Sequence, residues 1–104
     1  MMNMDIFEVL AEPHRRFMLD LLRIRERSVG ELVKESHLSQ PGVSKHLRIL
    51  REAGLVKVRS AAQKNIYSIC PKPLREIDAW LELYRHFWSD KLDALESFLD
   101  NEQN

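Results

Sequence analysis

The chain has 104 residues, 44% of them hydrophobic and 31% charged, and its 16 lysines and arginines balance 16 aspartates and glutamates. This is the composition of a folded, soluble chain, and no apolar run approaches the roughly 20 residues needed to cross a bilayer. Zero net charge excludes a bulk-charge argument for nucleic acid, but residues 13–64 hold 12 basic against 5 acidic residues, a balance of +7, while residues 1–12 carry −3 and 65–104 carry −4. A basic middle between acidic ends suits an anionic partner for the middle alone, or is chance clustering on a solvated surface.

Length predicts one domain, 1–104, with a modest core that a partner subunit would enlarge. The opening MMNMDIFEVLAEP has no basic segment ahead of an apolar one and carries Asp5 and Glu8, so no secretory signal is expected. The lone Cys70 has no intrachain disulfide partner. Cytoplasm is the expected compartment.

Asp5 to Ala11 reads as a short helix, broken at Glu12-Pro13 because the residue before proline avoids helical geometry. Pro13 opens a second helix to about Arg25, with Phe17, Leu21 and Ile24 on one predicted stripe and Met18 and Leu22 beside it. Ser28-Val29-Gly30-Glu31 fits a capping box that starts a short helix to about Ser36, burying Leu32 and Val33. His37-Leu38-Ser39 is a tight connection, and Ser39 suits the cap of the next helix, with Pro41 tolerated in its first turn. Gly54 stops that helix. LVKVRS (55–60) and NIYSIC (65–70) alternate apolar with polar around AAQK, which predicts a two-stranded hairpin closed by Pro71 and Pro73. A long helix without Gly or Pro runs from Leu74 to about Asp100. Its apolar residues form two stripes, one through Leu81, Tyr84, Trp88, Leu92 and Leu95 and one through Trp80, Leu83, Phe87 and Phe98, so it needs two packing partners.

On a helical wheel, residues 40–53 bury Val43, Leu47, Leu50 and Ala53, with His46 on the flank and Ile49 off the seam. Pro41, Ser44, Lys45, Arg48 and Glu52 lie opposite, bordered by Gln40 and Arg51. Two helices joined by a three-residue turn form a helix-turn-helix, whose second helix fits the DNA major groove. Gln can bond an adenine edge, Lys guanine, and Ser either; Arg and helix N-terminal amides suit phosphates. The hairpin would add a wing, placing Arg59 and Lys64 near the adjacent backbone or minor groove.

LAEPHRRFMLDLL, LSQPGVSKHLRILREAGLV and the hairpin followed by PLREIDAWLELYRHFW resemble, in order and over about residues 5–100, the ArsR-type winged-helix transcriptional repressors. The resemblance implies a mostly α winged helix-turn-helix with five helices and a two-stranded β-hairpin. It implies a homodimer through the first and last helices that binds double-stranded operator DNA and usually represses transcription. The DNA-binding residues are then Ser39, Gln40, Pro41, Gly42, Ser44, Lys45, His46, Arg48, Arg51, Arg59 and Lys64, and the dimer interface Ile6, Phe7, Leu10, Leu81, Tyr84, Trp88, Leu92 and Leu95. Nothing in the sequence names an inducer, whether small molecule or protein.

The departures concern metals. Many relatives carry a Cys-x-Cys pair in the first helix of the helix-turn-helix, where this chain reads VGELVKESH. Others place Asp and His ligands along the last helix, where this chain offers Asp78 and His86, eight residues apart. His14, His37, His46 and Cys70 show no ligand spacing, so no metal and no cofactor is expected. The DAWLxxYRxFW segment resembles the ligand-free, autoregulatory branch.

Several residues keep two readings. His46 contacts DNA or caps the flank of its helix; Arg15 and Arg16 touch phosphates or coat the second helix. Cys70 is a redox sensor or a small apolar filler. The Trp80, Tyr84, Phe87 and Trp88 stripe is core or dimer interface, or lines a ligand pocket; His37 is read as a turn residue. An enzyme is not expected, since no activated nucleophile, metal set or phosphate-binding glycine loop is present. The alternative to a DNA-binding regulator is a protein-interaction or ligand-sensing module of the same fold that has lost strong DNA binding.

Overall fold

The computed structural model describes residues 4–102; residues 1–3 and 103–104 of the expected domain lie outside the described residues. Five helices and a three-stranded antiparallel sheet follow in the order α1 (Ile6–Ala11), α2 (Pro13–Ile24), β1 (Arg27–Ser28), α3 (Val29–Ser36), α4 (Gln40–Glu52), β2 (Val56–Ala61), β3 (Lys64–Ile69), a 3₁₀ turn (Lys72–Leu74) and α5 (Arg75–Glu102).

Local chemistry sets most of these boundaries. Asp5 caps α1 by accepting from the Glu8 amide at 2.8 Å. Glu12 is held extended ahead of Pro13, and its carboxylate caps α2 by accepting from the His14 amide at 3.1 Å. Both bonds of the Ser28/Glu31 capping box form, each at 3.2 Å. His37 adopts left-handed geometry (φ 61°) at the end of α3, and Gly54 does so (φ 78°) after α4. The chain there doubles back, the Leu55 amide bonding the Leu50 carbonyl at 2.9 Å.

The buried row of α2 is Arg15, Met18, Leu19 and Leu22. The expected stripe through Phe17, Leu21 and Ile24 is therefore displaced: Phe17 is 42% and Ile24 67% exposed, and Leu21 is half-buried. The true row also has helical spacing, but begins with an arginine. Arg15 is tolerated there because its guanidinium donates to carbonyls at the end of α1, Val9 at 2.6 Å and Glu8 at 3.3 Å. Around this row one core collects Ile6, Val9, Leu32, Val43, Leu47, Leu50, Leu55 and Val56.

The sheet also departs from expectation. It has three strands in the order β1-β3-β2, because Arg27 pairs with Tyr67 and Ser28 with Ile66. Two residues are too few to show alternation, and Ser28 already serves as a helix cap. Arg27 is buried in this strand, its guanidinium donating to Glu35 at 3.0 Å and to the Arg25 and Leu21 carbonyls. Strands β2 and β3 pair from Val56↔Ile69 to Ala61↔Lys64. They are joined by Ala62 and Gln63, both at positive φ, the backbone a two-residue hairpin requires.

Helix α5 has 28 residues and none is buried. Leu74 and Ile77 pack on the core, and Trp80 meets Phe7 edge-on at 5.4 Å. Beyond Tyr84 the helix projects from the body, giving a molecule 68 Å by 31 Å by 21 Å. Leu83, Phe87, Trp88, Leu92, Leu95, Phe98 and Leu99 are exposed along it.

Candidate nucleic-acid interface

Helix α4 is fixed from below and open above. Val43, Leu47 and Leu50 are buried beneath it, and Ile49 and Ala53 pack partly against the same core, which places Ile49 beside the seam. Ser39 accepts from the Gly42 amide at 3.2 Å, and a Cβ at Gly42 would come within 3.3 Å of the Ser39 hydroxyl, so cap and glycine are matched. Gln40, Pro41, Ser44, Lys45, Arg48 and Arg51 are exposed on the outer side. Pro41, Ser44, Lys45 and Arg48 line one shallow depression there.

A second depression joins elements that are distant in sequence. It is lined by Gln40 of α4, Lys64 and Asn65 of the hairpin, and Ser28, Val29 and Gly30 at the start of α3. The β1–β3 pairing brings the hairpin beside α3, so the amide-rich end of that helix faces the same concavity. Sequence reasoning recognised the helix start at Ser28 but not its proximity to the wing; Asn65, Val29 and Gly30 were missed as members of this surface.

The basic residues divide into two groups. Among the described residues, ion pairs engage Arg25 with Glu31, Arg27 with Glu35, Arg59 with Glu26 at 2.5 Å, and Arg85 with Asp78 and Glu82. None of these pairs involves Lys45, Arg48, Arg51 or Lys64. Arg59, expected at a phosphate, is thus occupied by a carboxylate from the loop ahead of β1. Arg15 and Arg16 are turned to the α1 carbonyls, Arg16 bonding Leu10 at 2.5 Å.

His46 is half-buried on the flank of α4 and faces the start of α2. Its Nδ1 lies 3.3 Å from the Arg15 guanidinium, and its ring stacks on His14 at 5.8 Å. Burial first, and then the Arg15 charge, lower its pKa below the ordinary 6.5. Hydrogen bonds from the His14 amide and then its ring lower the Glu12 pKa in the same cluster. The expectation of no metal-ligand grouping rested on spacing along the chain; in space Glu12, His14 and His46 each bring a ligand atom within 4.8 Å of the others. Asp78 is bound by Arg85, and Cys70 is half-buried at the end of β3, its amide bonding the Leu55 carbonyl at 2.7 Å.

The residues expected at a dimer interface also divide. Ile6 is 6% exposed and belongs to the chain's own core, with Leu10 packed against it and Leu81 half-buried. Phe7, Tyr84, Trp88, Leu92 and Leu95 are exposed. No described helix is long and apolar enough to cross a membrane.

Comparison with known proteins identifies the family and the fold. Residues 12–58 match the family model described as bacterial regulatory protein, arsR family. The HTH-type transcriptional regulator Rv2034 of Mycobacterium tuberculosis is 31% identical over 96 residues, covering 92% of this chain and 87% of the relative. The transcriptional repressor SdpR of Bacillus subtilis is 29% identical over 77 residues, 74% of this chain and 86% of its own. The crystal structure of an ArsR family transcriptional regulator, RHA00566, superposes with a TM-score of 0.71 at 28% identity, covering 81% of this chain and 87% of that one.

Proposed function

Because the chain belongs to the ArsR family of helix-turn-helix transcriptional regulators, we propose that it acts as a cytoplasmic homodimeric repressor that reads an inverted-repeat operator with α4. The observation that carries this reading is the outer face of α4. A helix locked by a buried seam and a serine cap exposes Gln40, Ser44, Lys45, Arg48 and Arg51, and its cations have no ion-pair partner among the described residues. Gln40, Ser44 and Lys45, near the N-terminal end of the helix, read base edges. Arg48, Arg51 and Lys64 hold phosphates, aided by the start of α3.

The exposed apolar face of α5 supports the dimeric reading. A projecting helix with Trp88, Leu92, Leu95 and Leu99 exposed is more apolar surface than a monomer ordinarily leaves in water. Phe7, Tyr84, Trp88, Leu92 and Leu95 form the contact, while Ile6 supports it from inside the core. Two-fold pairing presents two copies of α4, so the operator half-sites lie about 10 base pairs, or a multiple of that, apart.

Selection of bound duplexes from a random pool, read by sequencing, tests the proposal. The expected result is an imperfect inverted repeat that is lost when Lys45→Ala protein is used. Recovery of no enriched sequence by well-folded wild-type protein would overturn it and leave a protein-interaction module as the reading.

A further inference from the structure

We propose that Glu12, His14 and His46 form a binding site for a divalent cation of borderline softness, with zinc as the reference ion. The three side chains come from two elements, the first turn of α2 with its cap and the flank of α4, and one ligand atom of each lies within 4.8 Å of the others. Two imidazoles and a carboxylate are a donor set that suits zinc and its first-row neighbours, with the remaining positions filled by water.

The geometry is near what such an ion requires. Around zinc bonded at about 2.0–2.1 Å, tetrahedral ligand atoms stand about 3.3 Å apart. The cluster must therefore contract by up to about 1.5 Å, a movement within reach of side-chain torsions at an exposed His14 and half-buried Glu12 and His46. The Glu12 carboxylate already accepts from His14 Nδ1 at 2.7 Å. That bond leaves His14 Nε2 as the lone-pair nitrogen, the arrangement in which a carboxylate orients an imidazole toward a metal. Glu12 can serve in that supporting role or turn an oxygen to the ion.

Arg15 sets the terms of occupancy. Its guanidinium donates to His46 Nδ1 at 3.3 Å, so the other ring nitrogen carries the proton of the neutral ring. A metal on Nδ1 takes the lone pair that Arg15 uses. A metal on Nε2 moves the proton to Nδ1, where it meets the Arg15 N–H. Either way the ion replaces the Arg15–His46 hydrogen bond, and Arg15 keeps its bonds to the Val9 and Glu8 carbonyls. The nearby positive charge opposes the ion and the Glu12 carboxylate offsets it, which describes an exchangeable site rather than a permanent structural one.

The test is calorimetric titration of the full chain with zinc chloride, paired with visible absorption on titration with cobalt(II). The expected result is one zinc per chain in wild-type, Cys70→Ser and His86→Gln proteins, with cobalt bands free of thiolate charge transfer. Affinity should fall about tenfold or more in His14→Ala and in Glu12→Gln. Circular dichroism identifies any variant that fails to fold, and Glu12→Gln keeps the shape and the capping oxygen of the residue it replaces. Absence of zinc binding to folded wild type, or binding that survives both substitutions, would overturn the proposal.

Discussion

The pairing of Arg59 with Glu26 makes two cations of the wing unequal, and the inequality can be measured. Lys64 is exposed at the end of the hairpin, whereas the Arg59 guanidinium is held by Glu26 at 2.5 Å. In the proposed dimer, Arg48, Arg51 and Lys64 from each of two protomers would give about six phosphate contacts, hence an expected slope of log affinity against log salt of about −5. Lys64→Ala removes two of those charges and should flatten the slope by about 2. From about 50 to 200 mM salt, the wild type then loses about a thousandfold in affinity and the variant about a hundredfold. Arg59→Ala should behave differently. Arg59 reaches a phosphate only by releasing Glu26, so one neutralised charge is exchanged for one exposed, and the slope should change by much less than for Lys64→Ala. Glu26→Gln should do the opposite, tightening DNA at low salt and steepening the slope by up to about 2. Both partners are about half exposed, so losing the pair alone costs little stability and the comparison is not confounded by unfolding. Fluorescence anisotropy of labelled operator across a salt series provides the measurement. Equal slopes for Arg59→Ala and Lys64→Ala, or no change in Glu26→Gln, would refute the argument.

Other outcomes follow from single features. Lys45→Ala should cost on the order of 1–3 kcal/mol per lost base contact and relax the selected sequence, as seen by competition with scrambled DNA. Trp88→Asp should give a monomer or an aggregate by sedimentation and abolish operator binding, since it puts a charge into the apolar face of α5; an unchanged dimer would exclude that face. Gly54→Ala should lower stability by about 1 kcal/mol in thermal melts, because φ is 78° there while a new Cβ meets only Pro73 at an ordinary 3.5 Å. The Glu31 carboxylate, held by Arg25 and then by the Ser28 amide, has its pKa lowered from 4.5. Its contribution is therefore complete above pH 4.5 and lost as pH falls through the depressed folded value, so Glu31→Gln should flatten that acid limb of a pH–stability curve.

What the sequence disclosed was governed by short-range chemistry. Pro13, the Ser28/Glu31 pair, Ser39 and Gly54 act within four residues of themselves, so the helix ends they set were legible from order alone. Features that depend on distant partners were not. Arg15 interrupts the apolar pattern of α2 because its carbonyl acceptors lie on α1, which leaves Phe17, Leu21 and Ile24 as the stripe legible from spacing alone. Strand β1 is two residues long and is recognisable only beside Tyr67 and Ile66. Glu26 lies 33 positions from Arg59, and His46 lies 32 positions from His14, so neither the quenched wing cation nor the Glu12–His14–His46 cluster left a local trace. The outer face of α4 was readable because one helix carries both its buried seam and its exposed polar side.

The third strand changes what kind of contact the wing can make. A hairpin attached only at its base can swing to meet whatever lies beneath it. Here β3 is laced on its inner edge to Arg27 and Ser28, and Ser28 in turn caps the helix that packs against α4. The tip of the wing and the outer face of α4 are thus like the jaws of a caliper set to one opening. In a complex the duplex, not the protein, would make the adjustment. Steps that kink or narrow cheaply would fit at low cost and stiff ones at high cost, so an operator would be judged in part at base pairs that no side chain touches.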